Sequence, residues 1–355
     1  MHSGWRLLSA FAVALALAAQ QSPRRALTHQ DYDSWRTISV PTLSPDGKFL
    51  AYALFPQDGN GDLAIRNLAS NQEKREAAGA PPPPPEPDDG AAEPGPPPQR
   101  RTLTIRYTSD GRFLLSTAYP TKEETEKARR DRRRPGEMPN SLIIADLTAG
   151  TTTRVAEVRS MQVPEKGGSW AAYLKEPKPG ERPEGERKGA PAGRGGGGAA
   201  AGRPVYGTGL VLRDLATGVE RVIPSVTEYS FAKDGKTLIY AVSSRKEEEN
   251  GVFAVSPGSD AAPAAILSGR GRYSRLSWDN DQKRLALMST KDDPAASPPK
   301  YRLYLWERGQ AAASEIVAPQ TPGFREGYVR RACAAHFLAR RQPVVPRRRA
   351  SGRRT

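Results

Sequence analysis

One short pattern returns along the chain and constrains the fold more than any other feature of the sequence. An Asp-Gly pair or a close substitute is followed by a basic or polar residue and then by an apolar run. The pair is Asp46-Gly47 in the first copy, Lys166-Gly167 in the third and Asp279-Asn280 in the fifth. The five copies span residues 43–52, 107–116, 163–173, 231–240 and 276–287. A chain that repeats one unit in this way is expected to stack copies of one supersecondary structure.

Each copy predicts a β-hairpin. Asp-Gly accepts the positive backbone angles that a tight two-residue turn needs, and the twist of such a turn matches that of the flanking strands. The run that follows the pair is rich in β-branched, aromatic and aliphatic residues, as in Phe49-Leu50-Ala51-Tyr52, which suit a buried strand. We therefore expect two antiparallel strands around each pair.

A second motif follows every hairpin and completes the repeat. It is an apolar run that ends in a turn, and its clearest copy is Gly209 to Leu215, followed by Ala216-Thr217-Gly218 and a short fourth strand, Val219 to Ile223. The other copies span residues 62–68, 141–147, 251–255 and 302–306. Four antiparallel strands per repeat predict an all-β fold, a β-propeller of about five blades in an incomplete ring. A β-sandwich is the rival fold, but it does not require the same two-part motif five times.

These motifs resemble the TolB-like propeller repeats of bacterial prolyl oligopeptidase-family peptidases. The segment Leu27 to Trp35 is similar to the lead-in that such exported peptidases carry before their first blade, and the likeness extends to Gly327. The resemblance implies that a hydrolase domain with a Ser-Asp-His triad follows the propeller in an intact parent. It also implies that the propeller caps that active site and filters peptide substrates by size.

The first 19 residues have the pattern of a signal peptide. Arg6 supplies the positive start, Leu7 to Leu17 form a short apolar run, and Ala16-Leu17-Ala18 offers a cleavage site between small residues. The apolar run is too short to span a bilayer comfortably. We therefore expect export to the periplasm or the medium, with no transmembrane anchor after cleavage.

The mature chain divides into a partial propeller over residues 20–327 and an Arg-rich tail over residues 328–355. Loop insertions near residues 75–100, 121–138 and 176–205 are rich in Pro, Gly and charge, and we expect them to be long, disordered loops. Within the second insertion, Thr121 to Arg130 is the one segment near the surface with convincing helical character.

The charge distribution argues against nucleic acid as the partner. The formal net charge is +15, but ten arginines and one acid, Glu326, lie from Phe324 onward, so much of the excess belongs to the tail. The Gly-rich stretch Arg194 to Gly202 has no aromatic residues on which bases could stack. A peptide or protein partner is the better expectation, and a polyanion bound through the arginine tail is the weaker alternative.

No residue is assigned a catalytic, cofactor-binding or metal-binding role. The sequence contains no G-x-S-x-G nucleophile elbow, and the nearest approach, Gly167 to Ala171, falls at the second strand of a blade. The three histidines are His2, His29 and His336, which lie in the signal segment, the lead-in and the tail, so the blades offer neither a catalytic base nor a histidine metal site.

Other residues with reactive or bulky side chains have structural explanations. Cys333 is the only cysteine, so no internal disulfide can form. The acidic pairs Asp88-Asp89 and Asp292-Asp293 are expected to be solvated in loops. Three tryptophans occupy strand positions and are expected to serve blade packing: Trp170, Trp278 and Trp306.

The tail carries neither the repeat motif nor strand alternation, which favours one of two hypotheses. It is a basic segment for an acidic partner, or it is read out of frame. The codons of residues 337–346, shifted by one nucleotide, permit Thr-Phe-Ser-Arg-Asp-Gly-Ser-Arg-Leu-Phe, a sixth copy of the blade motif. On the second hypothesis the chain is a frameshifted, truncated product whose open ring leaves strand edges exposed and prone to aggregate.

The sequence thus predicts a non-catalytic propeller portion of a prolyl oligopeptidase-type serine peptidase. The alternative is a periplasmic TolB-like propeller that acts as a protein-binding scaffold.

Overall fold

The computed structural model describes residues 28, 35–82, 103–131, 138–177, 206–296, 299–317, 335–336 and 345–346. Strands make up most of the regular structure of this part and pair antiparallel throughout, so the predicted all-β fold class is confirmed. The expected signal segment, nearly all of the lead-in and most of the Arg-rich tail lie outside the described residues, as do Asp88-Asp89. Within the described residues, no helix is long and apolar enough to cross a membrane.

The first and fifth blades are separate four-stranded sheets in which each strand pairs with the next along the chain. Blade one contains β1 (Arg36–Leu43), β2 (Phe49–Pro56), β3 (Gly61–Asn67) and β4 (Glu73–Gly79). Blade five contains β15 (Tyr273–Trp278), β16 (Arg284–Ser289), β17 (Arg302–Glu307) and β18 (Ser314–Val317).

A ten-stranded antiparallel sheet lies between them and holds three further blades. Its first five strands are β5 (Ile105–Tyr107), β6 (Phe113–Ala118), β7 (Asn140–Asp146), β8 (Thr151–Gln162) and β9 (Trp170–Lys175). Its last five are β10 (Thr208–Asp214), β11 (Glu220–Phe231), β12 (Leu238–Val242), β13 (Gly251–Val255) and β14 (Ala264–Ser268).

The two 12-residue strands of this sheet each serve two blades. The first part of β8 pairs with β7 as the outer strand of blade two, and its last residues, from Val158, pair with β9 as the inner strand of blade three. β11 divides in the same way at Val226. Just before each division the backbone takes a positive φ, 60° at Glu157 and 58° at Ser225, and the register shifts as at a β-bulge. Five four-stranded blades therefore follow one another, as the repeat predicts.

The hairpin turn is wider than the sequence analysis predicts. The N–H of Ser44 donates to the Phe49 carbonyl at 2.8 Å, so four residues rather than two form the loop, and the N–H of Gly47 donates to the Ser44 carbonyl at 2.9 Å. Only the glycine of the Asp46-Gly47 pair has a positive φ, 71°. The carboxylate of Asp46 accepts from Ser44 Oγ–H and from the N–H of Lys48, which holds the loop without a second positive φ.

The fifth turn lies two residues away from its predicted position. The N–H of Asp279 donates to the Arg284 carbonyl, and the residue with the positive φ of 55° is Gln282, so Asp281-Gln282 takes the place of Asp-Gly. Asp279 instead occupies the position of Ser44. Its carboxylate accepts from the N–H groups of Lys283 and Arg284, and these bonds, rather than a glycine, close the turn.

Apolar side chains fill each seam between consecutive blades. Leu63 and Leu114 lie in the cluster between blades one and two, and Leu212 and Leu238 lie between blades three and four, all essentially unexposed. Trp170 packs against the latter cluster, while Trp278 and Trp306 meet edge to face at 6.2 Å beside the cluster between blades four and five. All three tryptophans therefore serve blade packing, as expected, and they do so at the seams between blades.

The insertions contain more regular structure than expected. β4 extends to Gly79, so the first insertion begins later than residue 75. The second insertion opens with a helix, α1 (Lys122–Arg130), which confirms the predicted helical segment but corrects the expectation of a disordered loop over those residues. A single 3₁₀ turn, Glu247–Glu249, lies between β12 and β13.

Two short strands lie in the tail, where the sequence analysis predicts none. They are β19 (Ala335–His336) and β20 (Val345–Pro346), which pair antiparallel with each other.

Candidate functional site: the insertion face and the blade seams

Strand direction places all three long insertions at one end of the propeller. In every blade the first-to-second turn and the third-to-fourth turn lie at one end, because consecutive strands are antiparallel. The second-to-third links and the links between blades lie at the opposite end. The three insertions follow β4, β6 and β9, so each of them leaves the described strands at that opposite end. We call it the insertion face, and we call the end with the Asp-Gly turns the turn face.

The turn face is held together by contacts between turns of neighbouring blades. The N–H of Gly167 in blade three donates to Ser109 Oγ of blade two at 2.9 Å. The N–H of Lys166 donates to the Lys233 carbonyl of blade four, and the N–H of Lys233 donates to Gln282 Oε1 of blade five, both at 2.6 Å. Three successive seams are thus closed at this end by short hydrogen bonds between loops.

A self-capped helix marks the insertion face. The side chain of Thr121 accepts from the N–H of Glu124 at 3.1 Å, and the Glu124 carboxylate accepts from the N–H of Thr121 at 2.8 Å, which completes a capping box. Acidic residues occupy the first turn of α1 and basic residues the last, so the helix dipole adds to its stability. Ala128 is buried, and the rest of α1 is mostly charged and exposed.

The helix is fixed to the second-to-third loop of blade one. Asn60 accepts from the N–H of Lys122 at 2.7 Å and donates to the Glu123 carboxylate at 3.0 Å. The Lys122 ammonium contacts Asp58 at 2.5 Å, and this hydrogen-bonded ion pair holds the pKa of the Asp58 carboxyl below its ordinary value. The helix α1 of blade two thereby rests on blade one and presents a charged surface beside their seam.

Two polar side chains join the inner strands of neighbouring blades. Gln162, at the end of β8, donates from Nε2 to the Tyr229 carbonyl at 3.2 Å, and its Oε1 accepts from the N–H of Phe231 at 3.1 Å. Its amide therefore satisfies a donor and an acceptor of β11, as a further residue of a β-ladder would. Ser160 and Tyr229 add a hydroxyl–hydroxyl contact of 3.1 Å at the same seam.

Glu228 plays the corresponding part between blades four and five. Its two carboxylate oxygens accept from consecutive backbone N–H groups, those of Arg275 at 2.8 Å and Leu276 at 3.0 Å. The φ of 62° at Arg275 turns the two N–H groups toward one anion, as in a backbone nest. Burial raises the pKa of Glu228 above its ordinary value, and the two backbone hydrogen bonds lower it by less.

Ser169 belongs to the segment Gly167 to Ala171, the nearest approach to a G-x-S-x-G elbow, and it has a structural role. The Ser169 hydroxyl donates to the Asp214 carboxylate at 2.9 Å, which ties the first turn of blade three to its third strand. None of the residues whose side chains are described is a histidine, and among described residues no group of three His, Cys, Asp or Glu side chains could hold a metal ion.

Asp292 and Asp293 make more contacts with other side chains than the expected solvated loop residues would. Asp292 accepts from the Tyr304 hydroxyl and lies 3.5 Å from the Arg302 guanidinium, and Asp293 pairs with Lys300 at 3.0 Å. These contacts brace the second-to-third loop of blade five.

Sequence reasoning missed the residues that join blades and fix the helix: Asn60, Gln162 and Glu228. Only Gln162 carries a local signal, as a polar residue between the apolar Met161 and Val163. Their partners lie 47 to 69 residues away, and no local pattern indicates such pairs.

The comparisons with known proteins give similarity in structure only. No protein-family model matches the chain, and neither does any curated protein. Among solved structures, the β-propeller domain of the Trilobed protease from Pyrococcus furiosus matches at 12% identity and a TM-score of 0.39, over 80% of this chain and 71% of that one. A prolyl endopeptidase matches at 15% identity and a TM-score of 0.37, over 89% of this chain and 42% of its own.

TolB from Acinetobacter baumannii matches at 12% identity and a TM-score of 0.29, over 78% of this chain and 56% of its own. The chain thus spans about half the length of TolB and less than half of the prolyl endopeptidase. At these identities and scores no residue role is carried over from any of them. The chain is a β-propeller of five described blades, and its own strand order is the ground for that statement.

Proposed function

We propose that this chain is the non-catalytic propeller portion of an exported prolyl oligopeptidase-type serine peptidase. In an intact parent the propeller caps the hydrolase active site and filters peptide substrates. One observation carries the proposal: all three long insertions leave the described strands at the same end of the propeller. The lead-in Leu27 to Trp35, which resembles that of exported peptidases of this family, adds to it.

The two ends of the molecule suit different tasks. The turn face has short loops that bond to one another from blade two to blade five, so it offers little freedom to admit a ligand. The insertion face carries the added chain and the fixed helix α1. A module that selects peptides needs loops at one end that a rigid scaffold holds in position, because binding residues concentrate on such loops.

A periplasmic scaffold in the manner of TolB is the second candidate. The observation that favours it is the exposed, charged surface of α1, held in place by Asn60 and Asp58. A charged surface that is already ordered loses little conformational entropy when a protein partner binds. On this alternative the partner is a protein, and no cofactor is required on either proposal.

The deciding experiment is to sequence the gene from the codon of Gly327 through the downstream DNA. A one-nucleotide shift that restores a sixth blade motif, followed by a G-x-S-x-G segment, supports the peptidase proposal. A confirmed stop after Thr355 with no hydrolase sequence downstream overturns it and favours the scaffold.

Two assays on the purified chain accompany the sequencing. Chromogenic peptides test for hydrolysis, and turnover that persists after removal of trace contaminants contradicts a non-catalytic role. Binding to heparin tests the polyanion alternative, whose affinity must fall steeply with salt if the arginine tail carries it. Fusing residues 1–19 to a reporter that is active only outside the cytoplasm tests export.

A further inference from the structure

One face of blade five is buried although no sixth blade follows it in the described part of the chain. Along β16, Leu285 and Leu287 pack toward blade four, so the alternating Ala286 and Met288 lie on the opposite face. Ala286 is unexposed and Met288 is 6% exposed. With Leu303, which is 5% exposed, they form a separate apolar cluster. We call the face that these three residues define the terminal face.

Blade one shows what such burial requires. Met288 has the place after the first turn of blade five that Ala53 has in blade one, and it pairs with Leu303 as Ala53 pairs with Leu63. Ala53 and Leu63 are unexposed and belong to the cluster that blade one shares with blade two. The similar burial of Met288 and Leu303 therefore indicates that another part of the structure lies on the terminal face.

Two short strands of the tail lie beside blade five. β19 lies against β15, the inner strand of that blade. Inner strands of consecutive blades make the same kind of contact, since β5 lies against β1 and β15 lies against β11. β19 also pairs antiparallel with the strand that follows it, β20, as the first two strands of every blade do. The pair therefore has the position and the pairing of the first hairpin of a sixth blade.

We propose that the tail hairpin β19–β20 is a strap that covers the terminal face and closes the last seam of the propeller. The proposal applies to the tail in its present reading frame and rests on the fold, not on the proposed function. A large exposed apolar patch favours association or aggregation, and a strap over it protects blade five as a neighbouring blade would. The tail is then part of the propeller, which argues against its use as a free arm for a polyanion.

Methionine oxidation tests whether the tail covers the terminal face. Hydrogen peroxide converts methionine to its sulfoxide at a rate that follows exposure of the sulfur, and mass spectrometry measures the product at each site. Met288 is expected to react slowly in the full chain and several-fold faster in a chain that ends at Gly327, which lacks β19 and β20. Met161 packs in the seam between blades two and three and is the internal control, which should react equally in both chains.

Crosslinking gives a second readout that leaves the tail in place. A Cys333→Ser background removes the only cysteine. In that background a short bis-maleimide is expected to join Ser274→Cys in β15 to His336→Cys in β19 within one chain. The matched control pairs His336→Cys with Thr153→Cys, an exposed position on the outer strand of blade two, and should not give that link.

Three results overturn the proposal. The first is slow oxidation of Met288 that truncation at Gly327 does not change, which means that another segment covers the terminal face. The second is rapid oxidation of Met288 in the full chain, which means that nothing covers it. The third is the absence of a link within one chain between Ser274→Cys and His336→Cys, and a link that forms only between two chains makes a second copy the occupant. If truncation unfolds the chain, Met161 also reacts faster, and the crosslink then decides.

Discussion

Gln162 joins blades three and four, and its replacement tests whether the seams depend on such polar contacts. Tyr229 and Phe231, whose carbonyl and N–H it binds, are each 7% exposed, so water has little access to either group after Gln162→Leu. Each neutral hydrogen bond contributes about 1 kcal/mol, and each buried group left unpaired costs about 1–3 kcal/mol. We expect the free energy of unfolding to fall by about 2–3 kcal/mol.

Gln162→Glu separates hydrogen bonding from side-chain volume. A carboxylate at this position still accepts from the N–H of Phe231, but its second oxygen faces the Tyr229 carbonyl, which it repels. Protonation restores a donor and both contacts. Because burial disfavours the charged form, the introduced carboxyl has a raised pKa in the folded state. The stabilising effect of the protonated carboxyl is full below its pKa in the unfolded chain, about 4.3, and is lost as pH rises through its pKa in the folded chain.

The assay is urea unfolding followed by tryptophan fluorescence between about pH 4 and pH 8. The control is Gln57→Glu, since Gln57 is exposed in the second-to-third loop of blade one. The control should follow the pH profile of the wild-type chain, while Gln162→Glu should gain stability relative to it as pH falls. Two results together would refute the reasoning. The first is a fall in the free energy of unfolding below about 0.5 kcal/mol for Gln162→Leu, which is within the usual range for surface substitutions. The second is an identical pH profile for the two Glu variants.

Three further predictions address the turns, the second seam and the helix. Gly235→Ala should lower the free energy of unfolding in urea by about 1–3 kcal/mol more than Gly47→Ala. Both glycines have a φ near 70°, but only at Gly235 does an added Cβ lie 2.9 Å from the Gly167 carbonyl oxygen, so equal losses would contradict contact between the turns. Burial raises the pKa of Glu228, so the contribution of this carboxyl to stability is full at low pH and is lost as pH rises. From about pH 4 to pH 8 the wild-type chain should therefore lose stability relative to Glu228→Gln, and a constant difference between the two would argue against burial as the cause. Thr121→Ala should destabilise α1 by about 1 kcal/mol and speed amide exchange in the helix, while amide exchange in the blades stays the same. Unchanged exchange in α1 would exclude a stabilising role for the capping box.

Local signals in the sequence were sufficient for the repeated elements. Alternation of apolar residues and the loop chemistry of Asp46-Gly47 act within ten residues, so the hairpins, the third strands and the number of blades follow from the chain itself. The helix over Lys122–Arg130 is another local element, because its capping box and charge order lie within it. The position of the fifth turn was wrong, since a side chain rather than a glycine closes it, and Asp279 makes bonds there that composition does not reveal.

Contacts between blades were decided by the tertiary structure. Glu228 and Arg275 are 47 residues apart, and Lys122 and Asn60 are 62 residues apart. The exposure of Ile38 at 61% against none at Val226 follows from the place of each blade in the ring and not from the strand sequence, which is apolar in both cases. The reason is physical: turn chemistry and strand alternation are short-range effects, whereas burial depends on which surface the completed fold brings opposite each residue.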